Sequence, residues 1–419
     1  MDHSIRWWCG VDWASQKHHA YLLDAAGSRL GERDVAHGGA GLAELCDWLV
    51  EKTGGAPGEI AIAIETSSGP VVETLLERSF QVFSLNPKQL DRFRDRFSVA
   101  GAKDDSRDAR VLGDALRTDP RAFRRISLED PVVIELREWS RLRDDLTAER
   151  NRLGNRLREQ LWRYYPQALQ VAGDDLTAAW FLALWQQAPT PAKAAKLRRS
   201  VIERILTAHR IRRWEAAQLL DVLSQKPLAV APGTAEAASA HIRLLLPRLR
   251  LISDQLKAAD RHLDELCARL EAPAEDEPGQ ACEHRDVTIL RSLPGVGRTV
   301  AAAMLAEAPG PLRERDYHAL RALSGQAPVT RRSGKSCFVL RRYACNKRLA
   351  RAVYHWSRVA VQHDPLSRER YAALRQRGHS HGRALRGVGD RLLLVACTLL
   401  KRGVLFDPDY KTAHGAAAA

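Results

Sequence analysis

Seven cysteines in 419 residues, none of them in a Cys-x-x-Cys pair, are too few and too scattered to staple a fold or build a zinc centre. They read as reduced thiols of a cytoplasmic protein. Long apolar runs are missing too. The longest strongly apolar stretch, Leu392 to Leu400, falls far short of the roughly 20 residues a membrane-spanning helix needs. The start, Met1-Asp2-His3-Ser4-Ile5, has no basic segment leading into an apolar one, so no secretory leader is expected. Val132 to Tyr164 holds no proline and a single glycine, which excludes a turn-rich fold there. Acidic residues are scarce at one end only: residues 283–419 hold 10 Asp+Glu against 25 Lys+Arg.

What is present is globular in kind, with 45% hydrophobic and 28% charged residues. The formal charge of +14 is unevenly spread: residues 1–125 carry −2, residues 126–282 carry +1 and residues 283–419 carry +15. The excess is mostly arginine, whose planar fork suits phosphate. A polyanion is the expected partner of the last third.

The chain divides by pattern into 1–125, 126–282, 283–405 and a tail, 406–419. In the first part, strands are expected over Trp7 to Trp13, Ala20 to Leu23, Leu30 to Val35, Ile60 to Ile64 and Val82 to Leu85. Helices are expected over Leu42 to Lys52, Val71 to Arg78 and Asp104 to Leu116. Three strands, helix, strand, helix, strand, helix is the order of an RNase H-like fold. The middle part is helical, with leucines at heptad-like spacing and a long helix interrupted or kinked at Pro247, as in an antiparallel coiled-coil arm that spaces or dimerises. The acidic, Pro-containing stretch from Glu271 to Gly279 reads as a linker. The last part reads as short helices and an Ala-rich tail.

Four carboxylates suggest chemistry. Asp12 and Glu65 end the first and fourth strands, where side chains enter a shared crevice. Asp105 and Asp108 share a helix face, and Asp104 competes for the same place. Four acids at close quarters require cations among them, and hard oxygen donors suit magnesium acting at phosphorus. Leu293-Pro294-Gly295-Val296-Gly297 between two helices matches a helix-hairpin-helix turn, with Gly295 and Gly297 admitting a phosphate backbone and Arg291 and Arg298 flanking it. Ser333 sits among Arg331, Arg332 and Lys335, cations able to stabilise an alkoxide attacking phosphorus. Read without other information, such a Ser-Gly pair is more often a turn or a phosphate contact. Arg341, Arg342, Lys347, Arg348 and Arg351 complete the basic set. His18, His19, His379 and His381 read as surface residues.

These residues together resemble the DEDD transposases of the insertion-sequence 110 family, the RNA-guided recombinases. Gly-Val-Asp12, Ile-Glu65-Thr and Lys103-Asp104-Asp105-Ser106-Arg107-Asp108-Ala109 are similar to the family's Asp, Glu and Lys-x-Asp-x-x-Asp-Ala elements. That alignment selects Asp105 over Asp104. Leu293 to Gly297, Gly325-Gln326-Ala327-Pro328 and Arg332-Ser333-Gly334 resemble its C-terminal domain. The resemblance implies a RuvC-like RNase H domain with Asp12, Glu65, Asp105 and Asp108 as magnesium ligands, a helical coiled-coil arm, and a helical transposase domain with a helix-hairpin-helix. It also implies Ser333 as nucleophile, with Ser336 a nearby candidate, and a covalent phosphoserine intermediate. Donor and target DNA, a structured noncoding guide RNA and a homo-oligomer, dimer or tetramer, are the implied partners. The chain departs from the family at Tyr343-Ala344-Cys345-Asn346, where a Lys-Arg-Gly-Asn segment is common. Two other functions stay open: a RuvC-like nuclease or junction resolvase that uses water, and a basic nucleic-acid-binding protein whose acids are structural.

Overall fold

The computed structural model describes residues 5–85, 87–95, 104–126, 130–271, 285–334 and 336–408. Lys103, Lys335, the stretch after Glu271 and the Ala-rich tail lie outside them. The chain forms two compact units, Met1–Glu129 and Asp130–Ala419.

The first unit is mixed α/β. Its sheet contains β1 (Trp7–Asp12), β2 (Lys17–Leu23), β3 (Arg29–Ala36), β4 (Ile60–Ile64), β5 (Gln81–Ser84) and β6 (Arg124–Arg125), in the order β3-β2-β1-β4-β5-β6. Strands β1, β4 and β5 run parallel, and the outer pairings are antiparallel. Among the described residues the sheet is accompanied by α1 (Gly39–Thr53), α2 (Pro70–Glu77), α3 (Pro87–Arg94) and α4 (Asp105–Thr118). Helix α3 and the short β6 are additions to the sequence reading.

The alternating Ile-Ala-Ile-Ala-Ile of β4 is fully buried because both faces of this strand are covered. Ile60, Ile62 and Ile64 join the core under α1 and α2, while Ala61 and Ala63 join the core under α4. Small residues on the α4 face let that helix come close. A Cβ added at Gly10 of β1 would lie 1.8 Å from the carbonyl oxygen of Ala109 and 2.6 Å from the nitrogen of Gly113. Backbone therefore meets backbone there, and no larger residue fits.

The same alternation corrects the surface assignment of His18. This residue falls on the β2 face that also presents Ala20 and Leu22 to the core, and it is fully buried. Its Nδ1 accepts from the Ala14 N–H at 3.3 Å, and its Nε2 lies 3.0 Å from His37 Nδ1. Burial, with the charge of His37, holds the His18 pKa below the ordinary histidine value.

Among the described residues the second unit is helical apart from one two-stranded ribbon. Helices α5 (Pro131–Tyr164) and α11 (Thr234–Glu271) form an antiparallel pair, joined by Arg143 to Asp260 at 2.7 Å and Arg269 to Glu135 at 3.1 Å. Buried Ile242, Leu245, Leu249, Ile252, Leu256, Ala259, Leu263 and Leu266 of α11 alternate three and four residues apart, the spacing of a heptad seam. Pro247 is exposed, off this seam, and lies inside one continuous helix.

Between these two helices lie α6 (Pro166–Ala172), α7 (Ala179–Gln187), α8 (Pro191–Ala194), α9 (Arg199–Ala208) and α10 (Ala216–Leu223). They share a core with the C-terminal part of α5 and the N-terminal part of α11, filled by Tyr164, Tyr165, Phe181, Trp185, Leu245 and Leu249. The remaining helices are α12 (Asp286–Ser292), α13 (Arg298–Glu307), α14 (Pro309–Arg313), α15 (Tyr317–Leu323), α16 (Lys347–His363), α17 (Pro365–Gln376) and α18 (His381–Arg402). Leu290, Met304, Leu320, Trp356 and Leu393 fill their core together with Leu136 and Leu263 of the long pair.

Among the described residues no helix is long and apolar enough to cross a membrane. The six described cysteines are free thiols. Burial pushes the Cys9 thiol up to about 12 against an opposing hydrogen bond with the Tyr21 backbone, which keeps it protonated and inert.

Candidate active site and nucleic-acid interface

The register of the parallel pair places the first two of the four candidate acids. Val11 pairs with Ile64, so Asp12 and Glu65 are the next residues of adjacent strands at the same edge of the sheet. Strand alternation places both on the face that carries Gly10, Ala61 and Ala63, the face covered by α4.

Helix α4 brings the second half. Asp104 is its N-cap, with the carboxylate accepting from the Ser106 N–H at 3.4 Å, which gives Asp104 a local structural role. Asp105 and Asp108 occupy the first turn, where the helix dipole favours negative charge. The Ser106 hydroxyl donates to Glu32 Oε2 at 2.8 Å and ties this turn to β3. Asp105 is exposed, whereas Asp108 is only 2% exposed.

A guanidinium faces these acids. Arg94, the last residue of α3, donates from Nε to Asp108 Oδ1 at 2.6 Å and from Nη2 to Asp108 Oδ2 at 2.8 Å. Its Nη1 donates to Asp91 at 2.6 Å, and Nη2 lies 3.7 Å from Glu65 Oε1. Burial works against the Arg94 charge. The hydrogen bonds to Asp108 and the charges of Asp108, Asp91 and Glu65 outweigh it, so the guanidinium is held above its ordinary pKa. Among the described residues, no three acidic, histidine or cysteine side chains converge as a ligand set. The donors at this edge suit a hard divalent cation in kind, and in this arrangement the positive charge beside Glu65 and Asp108 is Arg94.

Ser333 lies in the other unit. The basic loop expected around it is a hairpin: β7 (Val329–Ser333) and β8 (Ser336–Leu340), joined through Gly334, whose φ is +54°. Ser333 and Ser336 are cross-strand partners at its tip. Arg331 pairs with Phe338 two residues back, so one ribbon face carries Arg331, Ser333, Ser336 and Phe338. Both strands are almost wholly exposed, and Phe338 remains 62% exposed. Sequence reasoning assigned Phe338 nothing, because an aromatic residue in a basic stretch gives no signal until its register to a serine is known.

The remaining basic residues have varied surroundings. Arg331 and Arg332 stand exposed on β7. Arg341 lies 5.2 Å from the Tyr343 ring centroid, Arg342 donates to the Ala327 carbonyl at 3.3 Å, and Lys347 donates to the Tyr343 carbonyl. Arg291 pairs with Glu271 at 3.0 Å and Arg298 with Asp264. Arg348 reaches Asp145 at 3.2 Å and Asp144 at 3.5 Å, and Arg351 lies 3.7 Å from Asp144. Acids of the long helices thus partly neutralise these last four, and a phosphate must compete with them.

The two hairpin glycines differ in purpose. Gly295 has φ +82°, and a Cβ there would lie 2.9 Å from the Ala360 nitrogen and 3.2 Å from the Trp356 carbonyl oxygen of α16. The neighbouring Pro294 carbonyl accepts from Trp356 Nε1 at 2.9 Å. Packing against α16 therefore dictates this glycine. Gly297 caps α13 with open space around it. Gly295→Ala is expected to cost about 2–3 kcal/mol from backbone strain and the clash. Gly297→Ala should cost less than about 1 kcal/mol. Urea unfolding of both variants measures the contrast.

Glu307 of α13 joins three helices. Its side chain, 4% exposed, accepts from Arg141 Nε of α5 at 2.9 Å and from Asn346 Nδ2, the cap of α16, at 2.6 Å. Burial pushes its pKa up, but the Arg141 and Asn346 hydrogen bonds outweigh this and hold it below the usual carboxylate value. The contribution is therefore complete above the unfolded-state value and is lost as pH falls through the lower folded-state value. Glu307→Gln is expected to cost about 2–3 kcal/mol at pH 7, Arg141 being partly solvated. The gap from wild type should narrow below about pH 4.5 when unfolding is followed against pH.

Comparison with known proteins extends this geometry. A DEDD transposase model of the IS110 type matches residues 9–166, and the model described as Transposase IS116/IS110/IS902 family matches residues 287–372. The first range includes the four acids and the second includes Ser333. The "Mini-circle putative transposase for IS117" of Streptomyces coelicolor is 33% identical over 398 residues, 93% of this chain and 92% of that protein. The "Putative transposase y4uE" of Sinorhizobium fredii is 60% identical over 210 residues, 50% of this chain and 58% of that protein. The "Insertion element IS110 uncharacterized 43.6 kDa protein" of Streptomyces coelicolor is 27% identical over 409 residues, 95% of each chain. On this evidence the chain belongs to the IS110/IS116/IS117 family of insertion-sequence transposases.

Proposed function

We propose that this transposase cuts and rejoins DNA by attack of Ser333 on a phosphodiester bond, with Asp12, Glu65, Asp105 and Asp108 as the magnesium ligands of a RuvC-like RNase H domain. The observation that carries the reading is the shared face of β1 and β4, which aligns Asp12 and Glu65 at one edge while Gly10 admits α4 at Ala109 and Gly113, just after its acid-bearing first turn. Magnesium held there supplies Lewis-acid polarisation of a phosphoryl oxygen.

The chain's own residues do the rest. The exposed tip of the hairpin presents the Ser333 hydroxyl without steric cover. Arg331 and Arg332 hold the phosphate backbone and stabilise charge developing at phosphorus. The serine oxygen gives up its proton and bonds to phosphorus as the bond to one sugar oxygen breaks, and the departing oxygen takes up a proton in exchange. A sugar hydroxyl attacking the phosphoserine then restores the DNA bond and releases the serine. The turn at Gly295 to Gly297 acts as a helix-hairpin-helix that grips the backbone without reading sequence. Sequence choice comes from a noncoding guide RNA, and the working species is a homo-oligomer, which lets acids and serine of different chains meet.

The test is cleavage of DNA spanning the element end and its target, with magnesium or with chelator. Joined products and protein-linked ends that require magnesium support the reading. Free ends alone would indicate a water-using nuclease, and binding without cutting would indicate a non-enzymatic protein. RNA sequenced from the purified protein, expressed with its native flanking DNA, tests the guide. Purification without any structured RNA contradicts that part.

A further inference from the structure

Arg94 engages Asp108 more fully than an ordinary surface ion pair does. Both oxygens of the buried Asp108 carboxylate accept from it, fork to fork, at 2.6 and 2.8 Å. The same guanidinium donates to Asp91 at 2.6 Å and lies 3.7 Å from Glu65. Two of these three acids are ligands in the magnesium reading, on which this inference rests. A hard divalent cation needs a carboxylate oxygen at about 2.1 Å, where a guanidinium nitrogen hydrogen-bonded to that oxygen leaves little room. Two cations also repel at such separations. With both Asp108 oxygens already accepting from the guanidinium, a metal at this carboxylate must compete with the arginine.

From this geometry we infer that Arg94 is a built-in counter-cation that competes with divalent metal for Asp108 and Glu65, so that metal loading detaches the end of α3 from α4. The segment is suited to such an exchange. Helix α3 is eight residues long, with Leu90 buried under α4 and Phe93 partly buried beside it. A buried carboxylate left without a cation is costly, so Asp108 keeps Arg94 until another positive charge replaces it. The exchange leaves Asp108 paired in both states. Metal affinity is lowered by the strength of the arginine pair, and the arginine is released only when a stronger cation arrives.

The test uses full-length protein and manganese, a magnesium surrogate whose binding is read directly by electron paramagnetic resonance. Arg94→Gln is expected to bind manganese at least about tenfold more tightly than wild type, equivalent to about 1.4 kcal/mol. Arg94→Lys, which keeps the charge but loses the fork, should lie between them. In wild type, manganese should raise amide hydrogen exchange in residues 89–94, a readout that stands even if Arg94→Gln folds poorly. Equal affinity in wild type, Arg94→Gln and Arg94→Lys, with α3 exchange unchanged, overturns the competition while leaving a metal site. Manganese binding that persists unaltered in Asp108→Asn, or no binding to any of these proteins at millimolar metal, overturns the magnesium reading as well.

Discussion

An Asp12→Asn variant is expected to fold normally and to lose DNA strand cleavage by roughly 10³-fold or more, about 4 kcal/mol of transition-state stabilisation. Asparagine keeps the shape of the aspartate at the end of β1, so the β1–β4 register and the contact of Gly10 with α4 persist. What disappears is the negative charge at the sheet edge. If magnesium is held there by four acids, one neutral ligand weakens the site and the polarisation it provides. The melting transition should move by only a few degrees. Wild-type cleavage rates in this variant would remove Asp12 from the metal site.

The second large effect is expected at Ser333. Ser333→Ala should abolish both cleavage and the protein–DNA linkage, since loss of a nucleophile costs as much as about 10⁶-fold. Stability should be unchanged, because Ser333 is exposed at the end of an exposed strand. Ser336→Ala is the informative companion. It lies directly across the ribbon on the same face, so a generic disturbance of the tip affects both variants alike. Retention of the linkage in Ser336→Ala and its loss in Ser333→Ala assigns the nucleophile to one side of the pair.

Periodicity made the first unit legible in the sequence. Ile-Ala-Ile-Ala-Ile announced a strand with a large-residue face and a small-residue face, and the structure uses the small face to admit α4. That Asp12 and Glu65 share a face follows from the same period of two, whereas their shared edge comes from the β1–β4 register. The hairpin bearing Ser333 was hidden for the converse reason. Hydrophobic alternation marks a strand only when one face is buried, and Val329–Ser333 and Ser336–Leu340 bury neither.

Long-range partners were also out of reach. Nothing near Gly295 indicates that α16, some 60 residues later, requires the glycine. Nothing near Arg348 indicates that its carboxylates lie about 200 residues earlier in α5. Arg94 sits in the charge-alternating run Asp91-Arg92-Phe93-Arg94-Asp95, which suggests a solvated helix face. Only the packing of α3 beside α4 shows that one of these arginines meets a buried acid.

The partition of charge gains meaning from this architecture. In the first unit Arg94 pairs with the buried Asp108 and lies beside Glu65. The second presents arginines on an exposed ribbon, while acids of the long helices hold Arg291, Arg298, Arg348 and Arg351. Steep weakening of DNA binding with salt is expected from the ribbon and its surroundings.

Trapping the protein on nicked target DNA in magnesium and mapping the adduct by peptide mass spectrometry identifies the nucleophile. The DNA-linked peptide should carry the nucleotide on Ser333 in wild type, and no adduct should form in Ser333→Ala or Asp12→Asn. A Ser333→Ala protein that still forms the adduct, or that cuts DNA at the wild-type rate, rules out Ser333 as the nucleophile.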